Sequence, residues 1–182
     1  ETGGDASLDV AVISGGQLMG QRAHQSEPIP LRNGGETTFS RELLEVHVQV
    51  ENKRVILFSA HFKAKVSDQP ERRLAEADAA RVIALEVAGR YPEALIVLGG
   101  DLNDTPGSPP IDALEGDFGM IRVAAELGDG AATYTFNNQP QAIDHLYLVE
   151  TPGGEYVPGS SRVHRNGRGF AGSDHAVLTA DF

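Results

Sequence analysis

Apolar and polar residues alternate from Leu43 to Val50, with Leu44, Val46, Val48 and Val50 on one side and Glu45, His47 and Gln49 on the other. A period of two predicts a half-buried strand. Glu51-Asn52-Lys53 is a short polar connection, and Val55-Ile56-Leu57-Phe58 opens a second strand. The pair reads as a hairpin. From Pro70 the period lengthens. Leu74, Ala77, Ala80, Ala84, Leu85, Val87 and Ala88 fall on one broad face, while Glu71, Arg72, Glu76 and Glu86 face away. This predicts a helix over 70–90, entered at a proline and stopped near Tyr91-Pro92.

Residues 94–98 are continuously apolar, the mark of a strand covered on both faces, and Gly99-Gly100-Asp101 ends it. Residues 9–14 form another short apolar run, closed by Gly15-Gly16, and predict a buried strand. Residues 17–40 are polar, contain Pro28, Pro30 and Gly34-Gly35, and read as a long loop. A short helix is expected near 111–114, with further strands at Tyr134–Phe136, 143–149 and 176–182. Hairpins mixed with a helical crossover make this an α/β domain with substantial antiparallel sheet.

Composition narrows the chemistry. The chain has 182 residues and no cysteine, which excludes disulfides and thiolate metal sites. The net charge of −11 argues against a broad surface for duplex DNA, because such surfaces are basic. A local cationic pocket for one phosphate stays compatible with it. No apolar run approaches a transmembrane segment. Residues 1–8 read as a tail, with Glu1-Thr2-Gly3-Gly4 a cloning scar or a processed end.

Four clusters of chemically capable residues sit at predicted strand ends: His61-Phe62-Lys63, Gly100-Asp101-Leu102-Asn103, Ile143-Asp144-His145 and Ser173-Asp174-His175. Carboxylates and amide oxygens suit a hard cation such as Mg²⁺ or Mn²⁺. A histidine held by a carboxylate suits proton transfer or hydrogen bonding to phosphate. Each cluster alone reads more readily as a turn or loop carboxylate, a sheet-edge polar pair or a satisfied core histidine. His24, His47 and His164 have no such company and are assigned to loops or the surface.

The order of the four clusters is specific. It resembles the endonuclease/exonuclease/phosphatase (DNase I-like) superfamily, whose members carry a strand-end His motif, a Gly-Asp-(Phe/Leu)-Asn motif, an Ile-Asp-(His/Tyr) motif and a Ser-Asp-His motif before one last strand. The match covers residues 9–182. The resemblance implies a four-layer α/β/β/α sandwich, here a single domain over 1–182, incomplete at the N-terminus. It also implies Mg²⁺- or Mn²⁺-dependent hydrolysis of phosphodiester or phosphomonoester bonds by activated water. The phosphate-ester substrate, whether nucleic acid, lipid or small molecule, stays open.

Roles follow from the resemblance one residue at a time. Asp101 is similar to the carboxylate that orients or deprotonates water, with metal contact. Asn103 is similar to the neighbour that holds the nucleophile and a phosphate oxygen. His175 resembles the histidine that bonds the scissile phosphate, and Asp144 the carboxylate that orients it. Asp174 resembles a metal ligand, and His61 a second phosphate-facing histidine. Two upstream motifs of the superfamily, an early Asn and a metal-binding Glu, have no counterpart here. That departure leads us to expect either a cleaved or incomplete chain, open to association with a missing N-terminal fragment, or compensation through another chain, and it motivates the alternative of a non-catalytic binding domain on the same fold. Lys63, Lys65, Arg72, Arg165 and Arg168 are candidates for local phosphate contacts, or else a solvated face.

Overall fold

The computed structural model describes residues 10–116 and 119–182. Residues 1–8, and Asp9 at the head of the first expected strand, lie outside this range. The strands are β1 (Gln17–Ala23), β2 (Ile29–Pro30), β3 (Glu36–Thr37), β4 (Leu43–Val50), β5 (Lys53–His61), β6 (Leu95–Asp101), β7 (Met120–Arg122), β8 (Tyr134–Phe136), β9 (Gln139–Gln141), β10 (Asp144–Val149), β11 (Arg162–His164) and β12 (Val177–Thr179). The helices are α1 (Pro70–Arg90) and α2 (Pro109–Glu115), and 3₁₀ turns span Val123–Ala131. No helix among the described residues is long and apolar enough to cross a membrane.

One six-stranded mixed sheet, ordered β1-β4-β5-β6-β10-β7, forms the centre. The β4–β5 hairpin pairs antiparallel as its alternation predicts. β5 and β6 are parallel, so the chain must cross over between them, and α1 is that crossover. Alternation along the strands places Ile56, Phe58, Ile96, Leu98, Tyr147 and Val149 on one face. They share a core with Ala77, Ala80, Ala84 and Val87 of α1. The small alanines let the helix lie close to the sheet. The opposite face carries Leu95 and Leu148, against which the turn at Gly154 packs. Away from the central sheet, β11 and β12 pair as a small second sheet, and β12 packs against β10.

Several expectations fail, each for a physical reason. Residues 10–14 form no strand, and Ile13 is 98% exposed. The strand that enters the sheet is β1, inside the region expected to be loop; β2 and β3 also form there as a two-residue ladder. β1 is an edge strand with both faces largely exposed, so it shows no alternation. The polar face of β4 is buried too. Glu45 lies between His24 Nε2 at 2.9 Å and His47 Nε2 at 2.5 Å, and all three residues are buried instead of superficial. His164 is exposed and meets the Thr179 hydroxyl at 2.8 Å. Glu76, expected to face away, is fully buried because it accepts two backbone N–H groups.

Candidate active site

Pairing register brings three of the four clusters to one place. In the parallel β5–β6 pair, His61 is opposite Asp101. In the antiparallel β6–β10 pair, Asp101 is opposite Asp144. Directly paired residues project from the same face of a sheet, so His61, Asp101 and Asp144 stand side by side. This crowding depends on Gly100. Its φ is +145°, and a Cβ there would lie 1.9 Å from the Ala60 carbonyl oxygen. Only glycine lets β5 and β6 close up beside the carboxylates.

The fourth cluster arrives from the loop before β12. Ala176 N–H donates to Thr133 O at 2.7 Å, which docks that loop beside the start of β10. His175 Nδ1 then meets Asp144 Oδ2 at 2.8 Å, and the Tyr134 ring lies 4.7 Å from the His175 ring. Asp101 Oδ1 accepts the Asn103 N–H at 2.9 Å, and His61 Nε2 approaches Asp101 Oδ2 at 3.5 Å. Asn103 itself sits at φ 53°, a conformation asparagine tolerates better than most residues. Its side-chain amide donates to Phe62 O at 3.1 Å, and Arg41 Nη1 donates to the same carbonyl at 3.0 Å.

The electrostatics separate these groups. Burial, and then the neighbouring Asp144 carboxylate, push Asp101 up to about 6. Burial, and then the Arg41 cation, push His61 down to about 4, so its imidazole is neutral at pH 7. The hydrogen bond that His175 donates to the Asp144 carboxylate raises the ring above the ordinary histidine value. The site thus holds a carboxylate near neutrality, a neutral imidazole and an imidazole biased toward its charged form.

Asp101, Asp144 and His175 each offer a ligand atom, all within 4.8 Å of one another, so this cluster could hold a metal ion. Asp174 is exposed and stands outside that group. His145 points the other way, into the core, where its Nε2 donates to Asp104 O at 2.9 Å and burial lowers its pKa. Most of the cationic candidates serve structural partners: Lys63 bonds Val66 O, Lys65 pairs with Asp104, Arg72 bonds Thr38 O and Arg165 bonds Ala132 O. Sequence reasoning missed Arg41 and Tyr134. Neither sits in a motif, and only the fold brings them to the site.

No family model matches the chain, and no curated protein matches it in sequence. Solved structures do match in shape. Truncated TDP2 of Caenorhabditis elegans superposes with a TM-score of 0.66 at 17% identity, over 91% of this chain and 65% of that one. The human Nocturnin catalytic domain, with a bound sulfate anion, gives 0.59 at 11% identity, over 91% and 60%. An endonuclease/exonuclease/phosphatase family protein from Bacteroides thetaiotaomicron gives 0.60 at 12% identity, over 90% and 64%. The chain therefore spans less than two thirds of each of these structures. At such identities the likeness is one of fold, and it extends over nine tenths of this chain: the protein has the DNase I-like α/β fold of the endonuclease/exonuclease/phosphatase superfamily.

Proposed function

We propose that this site hydrolyses phosphate esters, phosphodiester or phosphomonoester, by cation-assisted attack of water. The observation that carries the reading is the convergence of Asp101, Asp144 and His175 within 4.8 Å at the ends of paired strands. The donor set fits a hard divalent cation, Mg²⁺ or Mn²⁺, because the carboxylates of Asp101 and Asp144 stand opposite each other and offer oxygen ligands within one cluster. Asp101 and Asp144 would hold the ion, with Asp174 as a peripheral carboxylate on the neighbouring loop. When bound, it would supply Lewis-acid neutralisation of phosphoryl oxygens.

The chain's own groups divide the remaining work. Asp101, opposite Asp144 and bonded to the Asn103 N–H, is placed to orient or deprotonate the attacking water. Asn103 holds that water or a phosphate oxygen through its amide. Asp144 fixes the His175 ring through Nδ1, which leaves Nε2–H to donate to a phosphate oxygen. His61 offers a second, neutral ring. The sulfate on the Nocturnin domain is a tetrahedral anion of the same shape class as phosphate. The net charge of −11 favours a compact phosphate ester over long duplex DNA.

The test is hydrolysis of a chromogenic phosphodiester and its monoester with Mg²⁺, Mn²⁺ or chelator. Chelator-sensitive turnover that falls by about 10²- to 10⁴-fold in His175→Ala, with the fold intact, is the expected result. Near wild-type turnover in that variant would move the catalytic centre elsewhere. Folded, cation-loaded protein with no turnover would favour a binding domain.

A further inference from the structure

Arg73 and Glu76 lie three residues apart in the first turns of α1, so their side chains leave the same face of the helix. Arg73 is 3% exposed and Glu76 0%. Both are charged groups where a helix face packed on a sheet would ordinarily be apolar, and burying them is costly unless every polar atom is used.

Their partners are the segments that carry the site. Arg73 Nε donates to Asp104 Oδ2 at 2.8 Å, and its Nη1 donates to Asp68 Oδ1 at 2.8 Å and to Lys63 O at 3.2 Å. Glu76 accepts the backbone N–H groups of Ser40 and Lys63, both at 2.6 Å. Ser40 precedes Arg41. Lys63 follows His61 by two residues, and both its backbone groups are held. Asp104 follows Asn103. From the other side, Lys65 Nζ meets Asp104 Oδ1 at 2.9 Å and His145 holds the Asp104 carbonyl. Asp104 is therefore fixed at its carboxylate and its backbone, next to an asparagine in a left-handed conformation that needs external support.

We propose that Arg73 and Glu76 are positioning residues: one turn of α1 sets where Arg41, His61 and the Asp101–Asn103 segment stand relative to one another. The consequence for catalysis rests on the phosphoesterase reading, whereas the positioning itself is readable without turnover. Hydrophobic residues of equal volume would pack as well against the sheet but could not tie three separate segments to one point.

The test uses the full chain as wild type, Arg73→Met, Arg73→Lys and Glu76→Gln. Amide exchange and ¹H–¹⁵N shifts are read beside thermal unfolding, followed by Mn²⁺ titration through water-proton relaxation. In Arg73→Met the Asn103 amide, bonded to Asp101, should exchange about tenfold faster or more, while amides of the β4–β5 ladder keep their wild-type rates. Arg73→Lys should restore part of the protection. Glu76→Gln keeps one acceptor and should release the Ser40 or Lys63 amide in the same local way. If Arg73→Met does not fold, the other two variants carry the comparison. Unchanged Asn103 and Lys63 amides in folded variants would overturn the proposal, as would uniform acceleration across all amides. Localised effects with no Mn²⁺ binding by wild type would uphold the positioning and sink the phosphoesterase reading instead.

Discussion

Asp101→Asn should make the metal-free protein more stable at alkaline pH. In the folded chain this carboxyl titrates at about 6 against an ordinary value of 3.8, because it is buried and stands beside Asp144. Between those values the folded state binds a proton that the unfolded state has released, so stability falls as pH rises through that window. Above pH 6 the loss is complete. At about 1.4 kcal/mol per pH unit the difference corresponds to about 3 kcal/mol. The side chain is one-fifth open to solvent, which screens the effect to about 2 kcal/mol. Asparagine keeps an oxygen for the Asn103 N–H and removes the charge. For a chain of this length, that predicts a rise of about 4 to 8 °C in Tm. The assay is urea and thermal unfolding of both proteins with chelator at pH 4 and pH 8. The gain should appear at pH 8 and shrink toward zero at pH 4. Equal differences at both pH values, or a variant less stable at pH 8, would refute the argument. A site that costs stability when empty and ionised is expected of a centre built for a cation.

Two further expectations concern the neighbouring groups. Asp144→Asn removes the carboxylate charge and leaves Nδ1–H only a neutral acceptor, so ring NMR should show His175 titrating lower than in wild type. The linkage has the same sign as that of Asp101, since both groups hold their proton more tightly in the folded chain. The pair's stabilisation is fully present below the ordinary histidine value of 6.5 and is lost as pH rises through the folded one. Turnover should fall less than in His175→Ala, and an unchanged rate would remove the pair from the mechanism. Gly100→Ala places a methyl 1.9 Å from the Ala60 oxygen at a φ of +145°. Separating β5 from β6 should cost about 3 to 5 kcal/mol in urea unfolding, and a loss below about 1 kcal/mol would mean that the strands part freely.

The hairpin of β4 and β5, the full span of α1 and the apolar run of β6 are all legible in the chain, because each is set by a local period and by nearby turn residues. The four polar clusters are equally visible, since each follows or opens an apolar run. β1 is not visible. An exposed edge strand is defined by the neighbour it bonds, and its own side chains need no alternation. The burial of His24, His47, Glu45 and Glu76 was also hidden, because Glu45 and Glu76 are drawn inside by His24 and by the Ser40 N–H, which lie far from them in sequence. So was the role of Arg41 and Tyr134 beside the site. Periodicity reports which face of one element is apolar; it carries no information about which residue on another strand will stand opposite. The convergence of His61, Asp101 and Asp144 was decided by pairing register, and that of His175 by the docking of its loop.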